Sequence, residues 1–174
     1  MGQLIRGKAN KIIIGGIITA FAIGIAYGAI TGASTSPDTS PTPSEPRNDA
    51  VIIHTHSALK IILEGKSVTV PANIGIDPAL YKSHDLDAYG TKNPRMSPLH
   101  THDSTGVIHV ESTEIRSYTI GEFFDVWGVP FSETCFMDKC DDGTTVRMWV
   151  NAKESNEYRQ HILMDGEVIE IIVT

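Results

Sequence analysis

Residues 51–65 read VIIHTHSALKIILEG, and their side chains alternate in character with a period of two. Successive side chains of a β-strand point to opposite faces of the sheet, so this stretch is predicted to be a long strand. One face would carry Ile53, Thr55, Ser57, Leu59, Ile61 and Leu63, and the other Ile52, His54, His56, Ala58, Lys60, Ile62 and Glu64. A turn at 64–66 should return the chain as a second strand over 67–70.

The following segments predict further strands around one helix. Residues 98–111 (PLHTHDSTGVIHVE) are expected to form a hairpin, because Asp103 and Gly106 occupy the positions that a type I turn prefers. Residues 119–128 predict a short helix with a Thr-x-x-Glu capping box and an apolar stripe. Strands are expected near 146–151 and 167–174, and 77–98 reads as a long surface loop. The predicted fold class is α+β: a small mixed or antiparallel sheet with one short helix packed on it.

The N-terminal segment predicts a membrane anchor. Residues 12–30 are 19 residues without a charge, and Arg6, Lys8 and Lys11 precede them. About 20 apolar residues span a bilayer, and the basic flank should keep the N-terminus cytoplasmic. A cleaved signal peptide is the alternative, and in either case the folded domain would be extracytoplasmic. The expected localisation is therefore the cell membrane, single-pass.

Composition then divides the chain into three parts. We expect a basic start and transmembrane helix over 1–33, a Ser/Thr/Pro-rich linker over 34–50, and a histidine-rich domain over 51–174. The chain has a net charge of −7. Its first 46 residues hold three basic and two acidic groups, which leaves −8 for the rest. A domain this acidic lacks the positively charged surface that nucleic acid binds, and it attracts cations instead.

The two cysteines, Cys135 and Cys140, are expected to form a disulfide, the usual state of an even pair in an extracytoplasmic setting. Ligation of a metal by this pair is the alternative. Trp127 and Trp149 are predicted core residues, whereas His84 and His161 stand alone in polar stretches and are predicted to lie at the surface.

The other five histidines occur in two groups with the spacing of strand residues. His54 and His56 would share one face of the first strand, and His100 and His102 repeat that arrangement. If the predicted hairpin turns at Ser104 and Thr105, His100 pairs with His109 across the strands. Several imidazoles would then surround one point, which predicts a metal site with these ligands: His54, His56, His100, His102, His109 and Glu111. Glu111 could instead accept a hydrogen bond from a ligand.

Imidazole ligands suit zinc, copper, nickel and iron, and affinity along this series is highest for copper. A copper or zinc ion is therefore the predicted cofactor, and metal handling or sensing the predicted role. Two alternatives stay open: a metal-dependent enzyme with a three-histidine site, and a structural or partner-binding domain whose protein partner the sequence does not identify. An enzyme is the weaker expectation, because the sequence contains no nucleophile motif, phosphate loop or cofactor fingerprint.

These motifs also carry a resemblance. The combination His-Thr-His … VPANIGI … HTHDxxGxIHxE … FFxxWG, over Ile53 to Thr174, resembles a pattern of uncharacterised archaeal and bacterial membrane-anchored extracytoplasmic proteins. The C-terminal half resembles a β-grasp module, in which a strand pair leads into one helix and the last strand follows a turn, here MDGEVIEI. The resemblance implies a β-grasp-like fold and carries no function by itself.

Overall fold

The computed structural model describes residues 50–141 and 143–174. Nine strands and one α-helix are present in this part of the chain. The strands are β1 (Ile53–Leu63), β2 (Lys66–Val68), β3 (Thr91–Lys92), β4 (Arg95–Met96), β5 (Leu99–His100), β6 (Val107–Ser112), β7 (Val146–Val150), β8 (Lys153–Ser155) and β9 (Val168–Val173). The helix, α1, is Ile120–Trp127, and two short 3-10 helices occupy Pro78–Leu80 and Tyr158–Gln160.

Seven of these strands form one mixed sheet: six follow the order β5-β6-β1-β9-β7-β8, and the seventh, β2, also pairs with β1. The first part of β1 pairs with β6, and its last residues pair with β2 on the same side. The neighbours β1 and β9 run parallel in the middle of the sheet, and the other pairs are antiparallel. The first and last strands of the domain thus form the centre of the sheet.

Helix α1 and one face of the sheet enclose the core. Thr119 caps the helix by accepting from the backbone N–H of Glu122, whose carboxylate accepts from the Thr119 N–H in return. The helix ends at Gly128, which has a left-handed φ of 78°. Phe124 is fully buried among aromatic rings of the helix and the loop that follows it. The inward side chains of the strands complete this core: Leu59, Ile61, Leu99, Ile108, Val110, Val146, Met148, Ile169, Ile171 and Val173.

Several predictions from the sequence are confirmed. The sheet-with-helix architecture, the capping box and the alternation of faces along β1 are as expected. Gly106 closes the predicted turn with a φ of 86°, and an added Cβ would lie 2.3 Å from the carbonyl oxygen of Leu59. The two cysteines form the predicted disulfide. The β-grasp resemblance stays a prediction, and it would have to include β1, because a C-terminal half alone lacks the central strand.

Two predictions about particular segments are wrong. The stretch 77–98 is not simply a long surface loop, since it contains a 3-10 helix and the small β3–β4 hairpin. The buried Tyr81 hydroxyl donates to the carboxylate of Asp87 there, and burial together with this bond raises the pKa of Tyr81 to about 12. Trp149 is only half-buried, because it lies on the outer face of the sheet, where the Arg147 guanidinium stacks 4.7 Å from its ring centroid.

The membrane predictions are corrected. Among residues 50–141 and 143–174, no helix is long and apolar enough to cross a bilayer. The described residues form an α+β domain in which no transmembrane helix is found, and a single-pass membrane localisation is not supported. The apolar run at 12–30 that gave rise to both predictions lies outside the described residues, as do the basic start and the linker.

Candidate metal site

Three adjacent strands bring the histidines to one face of the sheet. The register pairs His109 of β6 with His100 of β5 on one side and with His56 of β1 on the other. The same register sets His54 opposite Glu111. Residues opposite one another in a sheet share a face, so these side chains lie together on the face away from the core. The predicted cross-strand pair of His100 and His109 is confirmed.

The first donor group comprises His100, His102, His109 and Glu111, whose ligand atoms all lie within 4.8 Å of one another. Two nitrogens on one tetrahedral ion with bonds of ~2.1 Å lie about 3.4 Å apart. The Nε2 atoms of His100 and His102 are 3.2 Å apart and already match this spacing. The ring of His109 lies 4.5 Å from that of His102. These four residues are therefore a group that could hold one metal ion.

The second donor group comprises His54, His56 and His109, whose ligand atoms also lie within 4.8 Å of one another. The ring centroids of His56 and His109 are 4.6 Å apart, and those of His54 and His56 are 4.8 Å apart. His54 Nε2 contacts Glu111 Oε1 at 3.2 Å, so the carboxylate lies between the two groups. The structure therefore brings all six predicted residues together, as two groups that share His109.

Hydrogen bonds outside the donor groups orient the ring of His100 and hold the backbone of His56. The Nδ1 of His100 donates to the carbonyl oxygen of Ser97 at 2.9 Å, which leaves its Nε2 lone pair facing the other donors. On β1, the backbone N–H of His56 donates to Asp165 at 2.9 Å, and the carbonyl of His56 accepts from Gly166 at 2.7 Å. Neither Ser97 nor Asp165 is predicted from the sequence: Asp165 meets His56 only after distant segments fold together, and Ser97 contacts His100 through a backbone carbonyl that no side-chain pattern specifies.

The site holds His100 and His109 in the neutral form. Burial, followed by repulsion from the neighbouring imidazoles of His100, His102 and His56, lowers the pKa of His109 from 6.5 to about 4 although Glu111 opposes the shift. Burial likewise lowers the pKa of His100, against the effect of its bond to Ser97. Neutral imidazole is the form that binds metal ions. The fold therefore prepares both rings for ligation at neutral pH.

These shifts predict that the metal-free protein loses stability as the pH falls from about 6.5 towards 4. His109 in the unfolded chain takes up a proton near pH 6.5, whereas in the folded state it stays neutral down to about 4. Unfolding therefore binds protons in this window, and each such histidine contributes a slope of up to ~1.4 kcal/mol per pH unit. Above pH 6.5 both states are neutral and the contribution is complete.

Urea unfolding with EDTA at pH 7, 6 and 5 measures this slope, and H109Q should reduce it. Asp87 and Asp103 contribute little to this slope. Their pKa values are lowered from 3.8, so their effect on the free energy of unfolding falls mainly below the pH range of the measurement. A free energy of unfolding that stays constant from pH 7 to 5 would contradict the prediction.

The other two histidines lie apart from this face. His84 is exposed, as predicted, and its Nδ1 lies 3.2 Å from Asp87. The prediction that His161 lies at the surface is wrong, since only 9% of its side chain is exposed. Its Nε2 contacts the buried Glu167 at 3.0 Å and its Nδ1 contacts Glu157 at 2.7 Å.

With this geometry established, comparison with known proteins adds no family. No protein-family model matches the chain, and neither the curated proteins nor the solved structures give a match. Function therefore has to be argued from the site. The described residues contain groups of His and Glu that could hold a metal ion.

Proposed function

We propose that this protein binds a transition-metal ion, copper or zinc, through His100, His102, His109 and Glu111. The observation that carries the proposal is the convergence of these four donors from two paired strands and the loop that connects them, with ligand atoms within 4.8 Å. Clustered histidines without an ion would repel one another on protonation, a cost with no structural return. A bound cation would turn that cost into stabilisation of the folded state.

The donor set favours copper or zinc over other ions. Three imidazoles and one carboxylate complete a tetrahedral sphere of the kind that zinc prefers, and copper(II) has the highest affinity for such nitrogen and oxygen donors. The cysteines are in a disulfide, so no thiolate contributes to the site. Glu111 lies among the rings, with 16% of its side chain exposed. Its carboxylate would balance part of the positive charge of a bound ion.

The position of the site favours holding and transfer of an ion over catalysis. His54 and His102 are exposed on the outer face of the sheet, whereas His100 is fully buried. A buried ligand beside exposed ones lets a partner or a small chelator reach the ion from one side. Metal handling or sensing is therefore the role we propose. An enzyme would instead require a substrate pocket beside the ion.

Calorimetric titration of the full chain, without a histidine tag, with ZnCl₂ and CuCl₂ at pH 7 tests the proposal. We expect a dissociation constant in the micromolar range or tighter for at least one of the ions. Free zinc at a concentration 100 times its dissociation constant should raise the free energy of unfolding by about 2.7 kcal/mol. Dissociation constants in the high micromolar range or weaker for both ions would overturn the proposal.

A further inference from the structure

His109 occupies the centre of the histidine face. Its strand lies between β5 and β1, so it has His100 as its cross-strand neighbour on one side and His56 on the other. Its ring centroid is 5.5 Å from that of His100 and 4.6 Å from that of His56. Both donor groups contain His109, and no other residue belongs to both.

One ion cannot use all of these donors. The rings extend across three strands: the ring of His54 is centred 6.4 Å from that of His109, and the ring of His100 is centred 5.5 Å from His109 on the other side. The six donors also exceed the four of a tetrahedral zinc site. The two donors outside the first group, His54 and His56, lie on β1 and point to the same side of the sheet.

The second nitrogen of His109 is available for this group. Its Nδ1 is the buried side-chain nitrogen or oxygen atom that lacks a hydrogen-bond partner within residues 50–141 and 143–174. Nearly all buried polar atoms of proteins are hydrogen-bonded, so such an atom requires an explanation. Glu111 Oε1 lies 3.9 Å from this Nδ1 and 3.2 Å from His54 Nε2, which directs negative charge to the space between them. A cation bound there would satisfy the nitrogen.

We propose that the face holds a dinuclear centre in which the imidazole of His109 bridges two metal ions. One ion binds His100 and His102, the other binds His54 and His56, and each binds one nitrogen of His109. Glu111, which lies between the two groups, binds the first ion and has its Oε1 beside His54. The proposal rests on the proposed function and extends it to a second ion.

The charge balance is simple. When the second ion binds, it replaces the proton on the other ring nitrogen of His109, and that proton passes to solvent. The bridging imidazolate and the Glu111 carboxylate then offset two of the four positive charges. Asp165 adds a further carboxylate, with Oδ1 4.0 Å from His56 Nδ1. The acidic surroundings of β1 therefore favour the second cation.

The stoichiometry and the magnetic coupling of bound copper test the proposal. The untagged full chain is titrated with CuCl₂ and examined by native mass spectrometry and electron paramagnetic resonance. We expect two ions per chain. Two copper(II) ions joined by an imidazolate pair their spins, so the signal of the fully loaded protein should fall well below that expected from its copper content.

Two variants separate the second ion from the first. Residues 54 and 56 lie on the outer face, so H54A/H56A should fold, bind one ion and give a signal that matches its copper content. The matched control is H84A, which removes a histidine outside the face and should bind two coupled ions.

Each other outcome overturns a different statement. One ion per chain in the unaltered protein overturns the dinuclear centre and leaves the proposed function standing. Two ions with a full signal overturn the bridge through His109. Affinity for copper and zinc no better than high micromolar overturns the proposed function itself.

Discussion

Replacing His100 by alanine is expected to weaken zinc binding at the first group at least about a hundredfold. Loss of a residue that only orients a ligand costs 10–100-fold in affinity, so loss of a ligand should cost at least as much. His100 is the donor that the fold fixes most firmly, since it is fully buried and its Nδ1 is bound to Ser97. Competition titration with a zinc chelator measures the change.

Because His100 is buried, its replacement could also disturb packing. A second variant, H102A, removes an exposed donor of the same group and should lose affinity to a similar degree without changing the urea unfolding of the metal-free protein. The exposed His84 again supplies the control, and H84A should bind zinc as the unaltered protein does. Wild-type zinc affinity in both H100A and H102A would contradict the assignment of the first group.

The local part of this site could be predicted from the sequence. The six residues 101–106 connect β5 and β6 as a hairpin, and the turn chemistry of Asp103 and Gly106 fixes the register that pairs His100 with His109. The two-residue period of β1 likewise places His54 and His56 on one side. In both cases, residues close in sequence determine which side chains meet.

The remaining features depend on contacts between distant segments. The parallel pairing of β1 with β9 joins residues more than a hundred positions apart, and no local pattern specifies it. It is this pairing that brings the 164–167 turn to His56. The surface prediction for His161 fails because only the residues before it, Arg159 and Gln160, are polar, whereas the fold buries it beside Glu167.

Replacing Glu167 by alanine is expected to destabilise the protein by about 3–5 kcal/mol. Only 4% of Glu167 is exposed, and its carboxylate accepts from the backbone N–H of Met164 at 2.9 Å and contacts His161 Nε2 at 3.0 Å. Ser57 Oγ lies at 3.5 Å from the same carboxylate. Each buried partner left without a hydrogen bond costs ~1–3 kcal/mol, and the missing side chain leaves a cavity besides. Urea unfolding in EDTA measures the loss.

Glu154 provides a matched control, because it forms an exposed ion pair with Arg147 at 2.9 Å. Such surface pairs contribute ~1 kcal/mol or less, so E154A should be nearly neutral. E167Q should fall between the two, since an amide of the same size keeps an acceptor for the Met164 N–H. Equal stability of E167A and E154A would show that the buried network contributes little.

Replacing Glu167 by alanine should also weaken binding at the metal site. The turn from Met164 to Glu167 holds β1 through two hydrogen bonds to the backbone of His56, at 2.9 Å from Asp165 and at 2.7 Å from Gly166. A turn that loses its internal Glu167 acceptor holds His56 less firmly. E167A that is still folded should therefore lose affinity for the second ion before the first, because His100 on β5 and His102 in the loop after it are separated from β1 by β6. An equal loss at both ions would attribute the effect to general unfolding instead.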